Sequence, residues 1–324
     1  MYRARSMALV ATLVTMIALL LQAGPASASY PGTNGRIGFG SDRSGDTHNI
    51  FTMASDGSDV RQLTHLTADQ GAALRESWSA DGSKLAFEQR NTDGTIRQIF
   101  VMNADGSGQH QLFHDGSFLD FDPSFSPDGS TIVFSRCRAN IHRQGAGRND
   151  PAGWCAIFKV RASDGGALTA ITLPTPGVFD HHPEYSPNGR RIAFTSFERD
   201  GVGAASYVMN ADGSNIHRVT DDGQFDPDWS PNGSRIAFSS LCCDPETSTI
   251  NTAKADGTDP VQLTSPGGAD SADFSPVYSP AGDKVAFERD FSDGSFRVYV
   301  IAATGGTPTL LQDDAFLPAW GSSP

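Results

Sequence analysis

Short apolar segments recur along the chain with a two-residue rhythm. In Arg235-Ile236-Ala237-Phe238, for example, bulky apolar side chains fall on every second position. Alternation of this kind predicts half-buried β-strands, because successive strand side chains point to opposite faces. The segments are rich in Val, Ile, Phe and Tyr, which suit a pleated surface. Asp-Gly and Asn-Gly pairs separate many of them, and these pairs favour tight hairpins because Gly accepts positive φ. Nothing in this pattern has the 3.6-residue period of an amphipathic helix.

The strands are organised as a repeat. One phrase reads aromatic, Ser, Pro or Ala, Asp, Asn or Ala, Gly, then a short strand ending in Phe. It runs from Trp78 to Phe87, Phe125 to Phe134, Tyr185 to Phe194, Trp229 to Phe238 and Tyr278 to Phe287. The aromatics are 47, 60, 44 and 49 residues apart. A second phrase follows, with turns at Asp56-Gly57, Asp105-Gly106, Asp164-Gly165, Asp212-Gly213, Asp256-Gly257 and Thr304-Gly305-Gly306. Four strands in 40–50 residues describe one propeller blade. The first copy starts late: Asn34-Gly35 opens it, and Pro31 stands where the aromatic should be. Pro318-Ala319-Trp320 at the other end supplies the missing piece, 42 residues after Tyr278. The expected fold is therefore all-β: a six-bladed β-propeller with four-stranded antiparallel blades. The C-terminal strand completes the first blade and leaves no open edge.

The phrases Pro227-Asp228-Trp229-Ser230-Pro231-Asn232-Gly233, then Ile236-Ala237-Phe238, with Met209-Asn210-Ala211-Asp212-Gly213-Ser214, resemble the TolB-type β-propeller repeat, one of the WD40-like repeats. The Gly-His…Trp-Asp pattern of WD40 itself does not occur. The resemblance implies a periplasmic or extracellular propeller that works mainly by protein–protein contact. The first repeat is expected to follow directly on a leader, without the small α/β domain that precedes the propeller of TolB. Similar propellers also precede peptidase domains, but no Gly-x-Ser-x-Gly nucleophile elbow occurs.

The leader is residues 1–28, a secretory signal peptide: Arg3 and Arg5, an apolar run from Met7 to Leu21, and Ala26-Ser27-Ala28 as the cleavage site. The propeller is expected over 29–324. Such a protein is secreted, to the periplasm or beyond, and is not an integral membrane protein once cleaved. The charge of −13 argues against nucleic-acid binding, which needs a basic footprint. The 34 Gly and 19 Pro fit the turn demand of many short strands. A monomer is expected, with an envelope or extracellular protein as partner.

Two groups of residues are candidates for function. Antiparallel order puts the tight turns of every blade on one face, and the loops between second and third strands on the other. Five of those loops hold 10 or 11 residues and the third holds 22, Ser135 to Ala156. The long loop carries Arg136, Arg138, Arg143, Arg148 and Trp154, a basic knob on an acidic protein suited to contact with an acidic partner. Cys137 and Cys155 flank it and are positioned to form a disulfide. Cys242 and Cys243, in the equivalent loop of the fifth repeat, are open to a vicinal disulfide or to pairing with another chain.

The second group stands where the inner strands begin, at the mouth of the channel. Three residues before each aromatic the chain reads Arg75, Asp122, His182, Asp226, Ser275 and Leu317; five before, it includes Asp120, Asp180 and Asp273. With His181, these form the channel-mouth set. No cofactor is expected. The alternative reading is a divalent cation held by His182, Asp122 and Asp226, which would suit a propeller enzyme of lyase, lactonase or hydrolase type. The set is otherwise explained by loop hydrogen bonds of Asp before Pro, and no nucleophile is singled out.

Overall fold

A computed structural model describes residues 30–323 apart from 46, 114, 139–152, 243–246 and 266–270. The expected leader lies outside the described residues, as do Arg143, Arg148, Cys243 and the side chain of Cys242. The described residues are all-β. Their helical segments are 3-10 turns, Ala68–Gln70 and Arg199–Gly201. No helix among them is long and apolar enough to cross a membrane.

The hairpin turns form for the reason their composition suggests. The carboxylates of Asp81, Asp105, Asp128, Asp212 and Asp256 each accept the backbone N–H two residues on, at 2.9–3.0 Å. The Gly between takes φ of +67° to +87°. An Asp that holds its own turn leaves only the glycine to absorb the reversed backbone.

These turns connect strands into antiparallel sheets. Three sheets have four strands, and one has twelve. The twelve-stranded sheet is three successive four-strand meanders, joined by parallel pairing of Cys155 with Phe179 and of Ala205 with Gln224. Every meander shares one register. The aromatic of the inner strand faces the apolar residue two positions before the repeat Phe: Trp78 with Leu85, Phe125 with Ile132, Tyr185 with Ile192, Trp229 with Ile236 and Tyr278 with Val285.

The first sheet obeys the same rule with strands from both ends of the chain. Phe316–Ser322 pairs antiparallel with Asn34–Ser41, and Trp320 faces Ile37. One buried cluster joins Ile37, Phe39, Phe51 and Trp320 to Val277, Ala286 and Val298 of the last meander. On its other side, the indole N–H of Trp78 donates to the Ala319 carbonyl at 3.1 Å. The N-terminal segment is tied to the last meander as well: Gly32 N–H to Pro280 O at 3.2 Å, and Ala281 N–H to Asn34 Oδ1 at 2.9 Å.

The second strand runs past the repeat Phe in every meander, to Ser41, Arg90, Arg138, Phe197, Cys242 and Phe291. The second strand of the third meander runs on to Arg138 and the third strand begins at Cys155, so Cys137 faces Cys155 across the hairpin. They form a disulfide that closes a separation of 18 residues. In the chain-entropy account a loop of that size gains about 3 kcal/mol.

The C-terminal strand is the least redundant element. Trp320→Ala should cost about 3–5 kcal/mol, as for a fully buried aromatic. Removing residues 317–324 should be far worse, because it uncovers the edge of Asn34–Ser41. Thermal melts with light scattering check this; a truncated chain that melts like the whole one, without aggregation, contradicts it.

Candidate functional site at the inner strands

Each inner strand carries the same irregularity. Arg75, Asp122, His182, Asp226, Ser275 and Leu317 all have φ between +52° and +59°. Pairing with the second strand skips at that point in every meander. These are β-bulges, which re-aim side chains at the cost of local strain. The residue after each is Pro, except at Glu76. Pro fits there because a bulge leaves a position outside the ladder, where no N–H is required.

In four meanders the N–H of the left-handed residue is freed from its own hairpin and is taken up by the meander before it. His182 donates to Ser135 Oγ at 3.2 Å, Asp226 to Thr195 Oγ1 at 2.9 Å, Ser275 to Ser239 Oγ at 3.1 Å and Leu317 to Glu288 Oε2 at 2.8 Å. Every acceptor is the residue directly after a repeat Phe. The signal for this was in the sequence: Glu88, Ser135, Thr195, Ser239 and Glu288 occupy that place, and the sequence reading passed over them.

The bulges bring four members of the channel-mouth set together. Arg75 Nη1 donates to Asp122 Oδ1 and lies 3.3 Å from His182 Nε2. His182 Nδ1 bonds Asp226 Oδ1, and His182 Nε2 is 3.3 Å from Asp122 Oδ2. Arg75 Nε is also 3.4 Å from Glu88, which Arg97 approaches at the same distance. All of these but Arg97 are buried. Burial pushes the Asp122 carboxyl up, but the charges of His182, Arg75 and His181 outweigh it and hold it at about 2. For Asp226 burial prevails over His182, and its carboxyl is raised. The arrangement is a chain in which acidic and basic side chains alternate, and Arg75 stands where a cation between Asp122 and His182 would sit.

The remaining predicted residues go elsewhere. Asp120, Asp180 and Asp273 each bind an arginine of their own meander. Arg136 grips Asp120 at 2.7 and 2.8 Å, Arg199 grips Asp180 at 2.9 and 2.7 Å, and Arg289 grips Asp273 at 2.5 and 2.8 Å. His181 is buried between Phe121 and Phe197 at the edge of the cluster, with its Nδ1 3.9 Å from Asp122 Oδ2. It lies beside Cys137 and Cys155, whose sulfurs are bonded to each other and offer no thiolate.

Arg136 does not belong to an exposed knob. It is buried on the strand and directly opposite Asp120, and its guanidinium packs on Phe118 at 4.9 Å. Because the strand extends past Phe134, a residue read as loop became a paired strand residue. Arg138 is exposed, and Trp154 is half-buried with its ring 5.8 Å from Phe118.

Tyr30 was not foreseen. It is buried, its hydroxyl donates to the Phe125 carbonyl, and it lies near Glu184, Asp228 and Ser124. The N-terminal segment thus reaches the far ends of the inner strands.

Repeated antiparallel meanders with bulged inner strands, four of them stapled to the meander before, define a β-propeller protein. Residues 157–315 match the TolB beta propeller domain. The Tol-Pal system protein TolB of Anaeromyxobacter dehalogenans (strain 2CP-C) is 30% identical over 180 residues, 55% of this chain and 36% of that protein. The chain spans about half or less of the length of the curated relatives it matches. The crystal structure of TolB from Acinetobacter baumannii superposes with a TM-score of 0.67 at 18% identity, over 89% of this chain and 67% of that one. An oligogalacturonate lyase in complex with manganese reaches 0.59 at 16% identity, over 88% and 77%. At such identities the structural likeness concerns the fold alone. The chain is a TolB-like propeller protein.

Glu76 breaks the repeat in the second meander. It takes the place of Pro123, Pro183, Pro227, Pro276 and Pro318, and both its carboxyl oxygens are buried without a hydrogen bond among the described residues. Gly38 makes the room: a Cβ there would stand 2.7 Å from Glu76 Oε1, whereas the equivalent positions hold Ala86, Val133, Ala193, Ala237 and Ala286. Burial pushes the Glu76 carboxyl up from 4.5 to about 8. A raised acid stabilises fully below its unfolded value near 4.5, and the contribution is lost as pH rises through about 8. The stability of Glu76→Gln minus that of the native protein should therefore grow between about pH 4 and pH 9, by up to about 5 kcal/mol. Urea melts at the two pH values measure it; a difference that does not change with pH contradicts the assignment.

Proposed function

We propose that the chain is a secreted or periplasmic, closed six-bladed propeller that acts as a non-enzymatic protein-binding scaffold of the cell envelope, in the manner its TolB relatives suggest. Support for the closed ring comes from Trp320 facing Ile37 in the shared register, and from the apolar cluster between first and last meanders. The name of the relative, a Tol-Pal system protein, supports the envelope setting.

The observation that carries the binding reading is the Cys137–Cys155 cross-link at the foot of the one enlarged loop. A disulfide there holds the two ends of the loop at a fixed separation, and pre-organisation of that kind lowers the cost of binding. Arg138 and Trp154 stand at its base, exposed and half-buried respectively. Arg143 and Arg148 add charge to the same loop, against a chain of net −13. An acidic surface on an envelope protein is the partner of matching charge.

A second reading is a propeller enzyme with a divalent metal, and His182 between Asp122 and Asp226 favours it. The residues fit poorly, since Arg75 already neutralises Asp122 at that point and is itself buried. A metal would require Arg75 to leave.

Two measurements separate the readings. Replacing Arg138, Arg143 and Arg148 by Ser should weaken capture of an envelope partner by the purified protein, with unchanged melting temperature. Undiminished capture of every partner rejects the loop as the contact. Elemental analysis before and after chelation should find no stoichiometric metal; a bound equivalent that disappears in His182→Ala would instead establish the enzyme reading.

A further inference from the structure

A cavity of about 460 Å³ opens on the face of the long loop, between the first and second meanders, and its wall residue Arg97 shares Glu88 with Arg75. Its walls include Thr47, His48, Gly71, Arg90, Asn91 and Arg97. That volume suits a small molecule.

The charge of the walls is unbalanced. Arg90 is half-buried, and its guanidinium has no hydrogen bond or ion pair among the described residues. In the same protein Arg136 and Arg289 each grip an aspartate through Nε and Nη2, and Arg199 Nη2 bonds both oxygens of Asp180. Arg97 has Glu88 at 3.4 Å, but Arg75 shares that carboxylate. The acid at the rim, Asp93, is committed to its own turn and accepts from the Thr95 N–H at 3.0 Å. Burial and the neighbouring Arg90 charge lower the affinity of the His48 ring for a proton, against Asp42, and the ring packs edge-on to Phe316. Burial also pushes the Arg90 guanidinium down; Glu88 opposes this, and the neighbouring charges of Arg97 and Arg75 add to it.

The floor is rigid. Gly71 has φ +96°, and a Cβ on it would stand 1.9 Å from the Arg90 carbonyl oxygen. Its own carbonyl accepts the Thr47 hydroxyl. Backbone contact of this kind fixes where the Arg90 side chain begins. Asn91 and Thr92 add polar groups to the wall, and Ala68 and Ala72 add apolar ones.

We infer that this cavity binds a small polyhydroxylated oxyanion, of the class of sugar acids and sugar phosphates. Its anionic group pairs with the fork of Arg90, and its hydroxyls meet the Thr92 hydroxyl and the remaining lone pairs of the wall oxygens. The inference stands apart from the protein-contact reading, because it uses no residue of the enlarged loop.

Calorimetric titration of the whole protein with glucuronate, glucose 6-phosphate and glucose tests it. One or both charged sugars should bind, and glucose should not; which one binds separates the carboxylate from the phosphate. Arg90→Gln should weaken the binding by about tenfold or more, the loss of a charge-assisted pair. Arg90→Lys keeps the charge but not the fork, and should weaken it by about threefold or more. The Lys variant carries the test if the Gln variant melts abnormally. Absence of binding by both anions up to about 10 mM overturns the inference. So does equal binding of glucose, or native affinity in the well-folded variants.

Discussion

The structure depends on one backbone constraint. Each inner strand passes through a left-handed, non-glycine residue, which costs of order 1–3 kcal/mol and frees a buried N–H. A buried donor must find an acceptor. Here the side chain after the repeat Phe of the preceding sheet supplies it, in four instances with distances of 2.8–3.2 Å. The strain in one sheet is therefore relieved only by the correct placement of the next. This coupling adds to the apolar packing between sheets, which is non-directional and would tolerate small rotations. The hydrogen bond sets the angle at which neighbours meet.

The same bulges decide which acids meet. By turning one residue inward, they gather Arg75, Asp122, His182 and Asp226 from different meanders into one buried chain in which acids and bases alternate. One step further out along the strands, Asp120, Asp180 and Asp273 stay in the regular ladder and find arginines of their own meander. Acids only two residues apart in sequence thus serve different ends. One set joins separate meanders, and the other stiffens single ones.

Much of the architecture was legible because it is written locally. Asp-Gly turns, period-2 strands and the displaced Trp320 each need only a few consecutive residues to be read. What escaped the sequence is what depends on distant partners or on exact strand ends. Arg136 looked like loop because the hairpin was closed too soon, although Asp120 opposite was already in view. Nothing near Arg75 announces His182, 107 residues away. The unusual pairing of Glu76 with Gly38 was visible only as two unrelated departures from the repeat, in different copies. Tyr30 lies before the first recognisable phrase, so the repeat offered no place for it.

The pairing of Ile37 with Trp320 has a kinetic meaning. These partners are 283 residues apart, and bringing them together costs about 5 kcal/mol of loop-closure entropy beyond a constant. During synthesis the first sheet waits, with an unpaired strand, until the last residues emerge. The middle meanders have no such wait, since each is built from consecutive chain. Folding should then run from the interior of the sequence toward its ends, with the last strand acting as a latch. Until that latch closes, the nascent protein presents a sticky edge, and this interval is when it most needs protection from its neighbours.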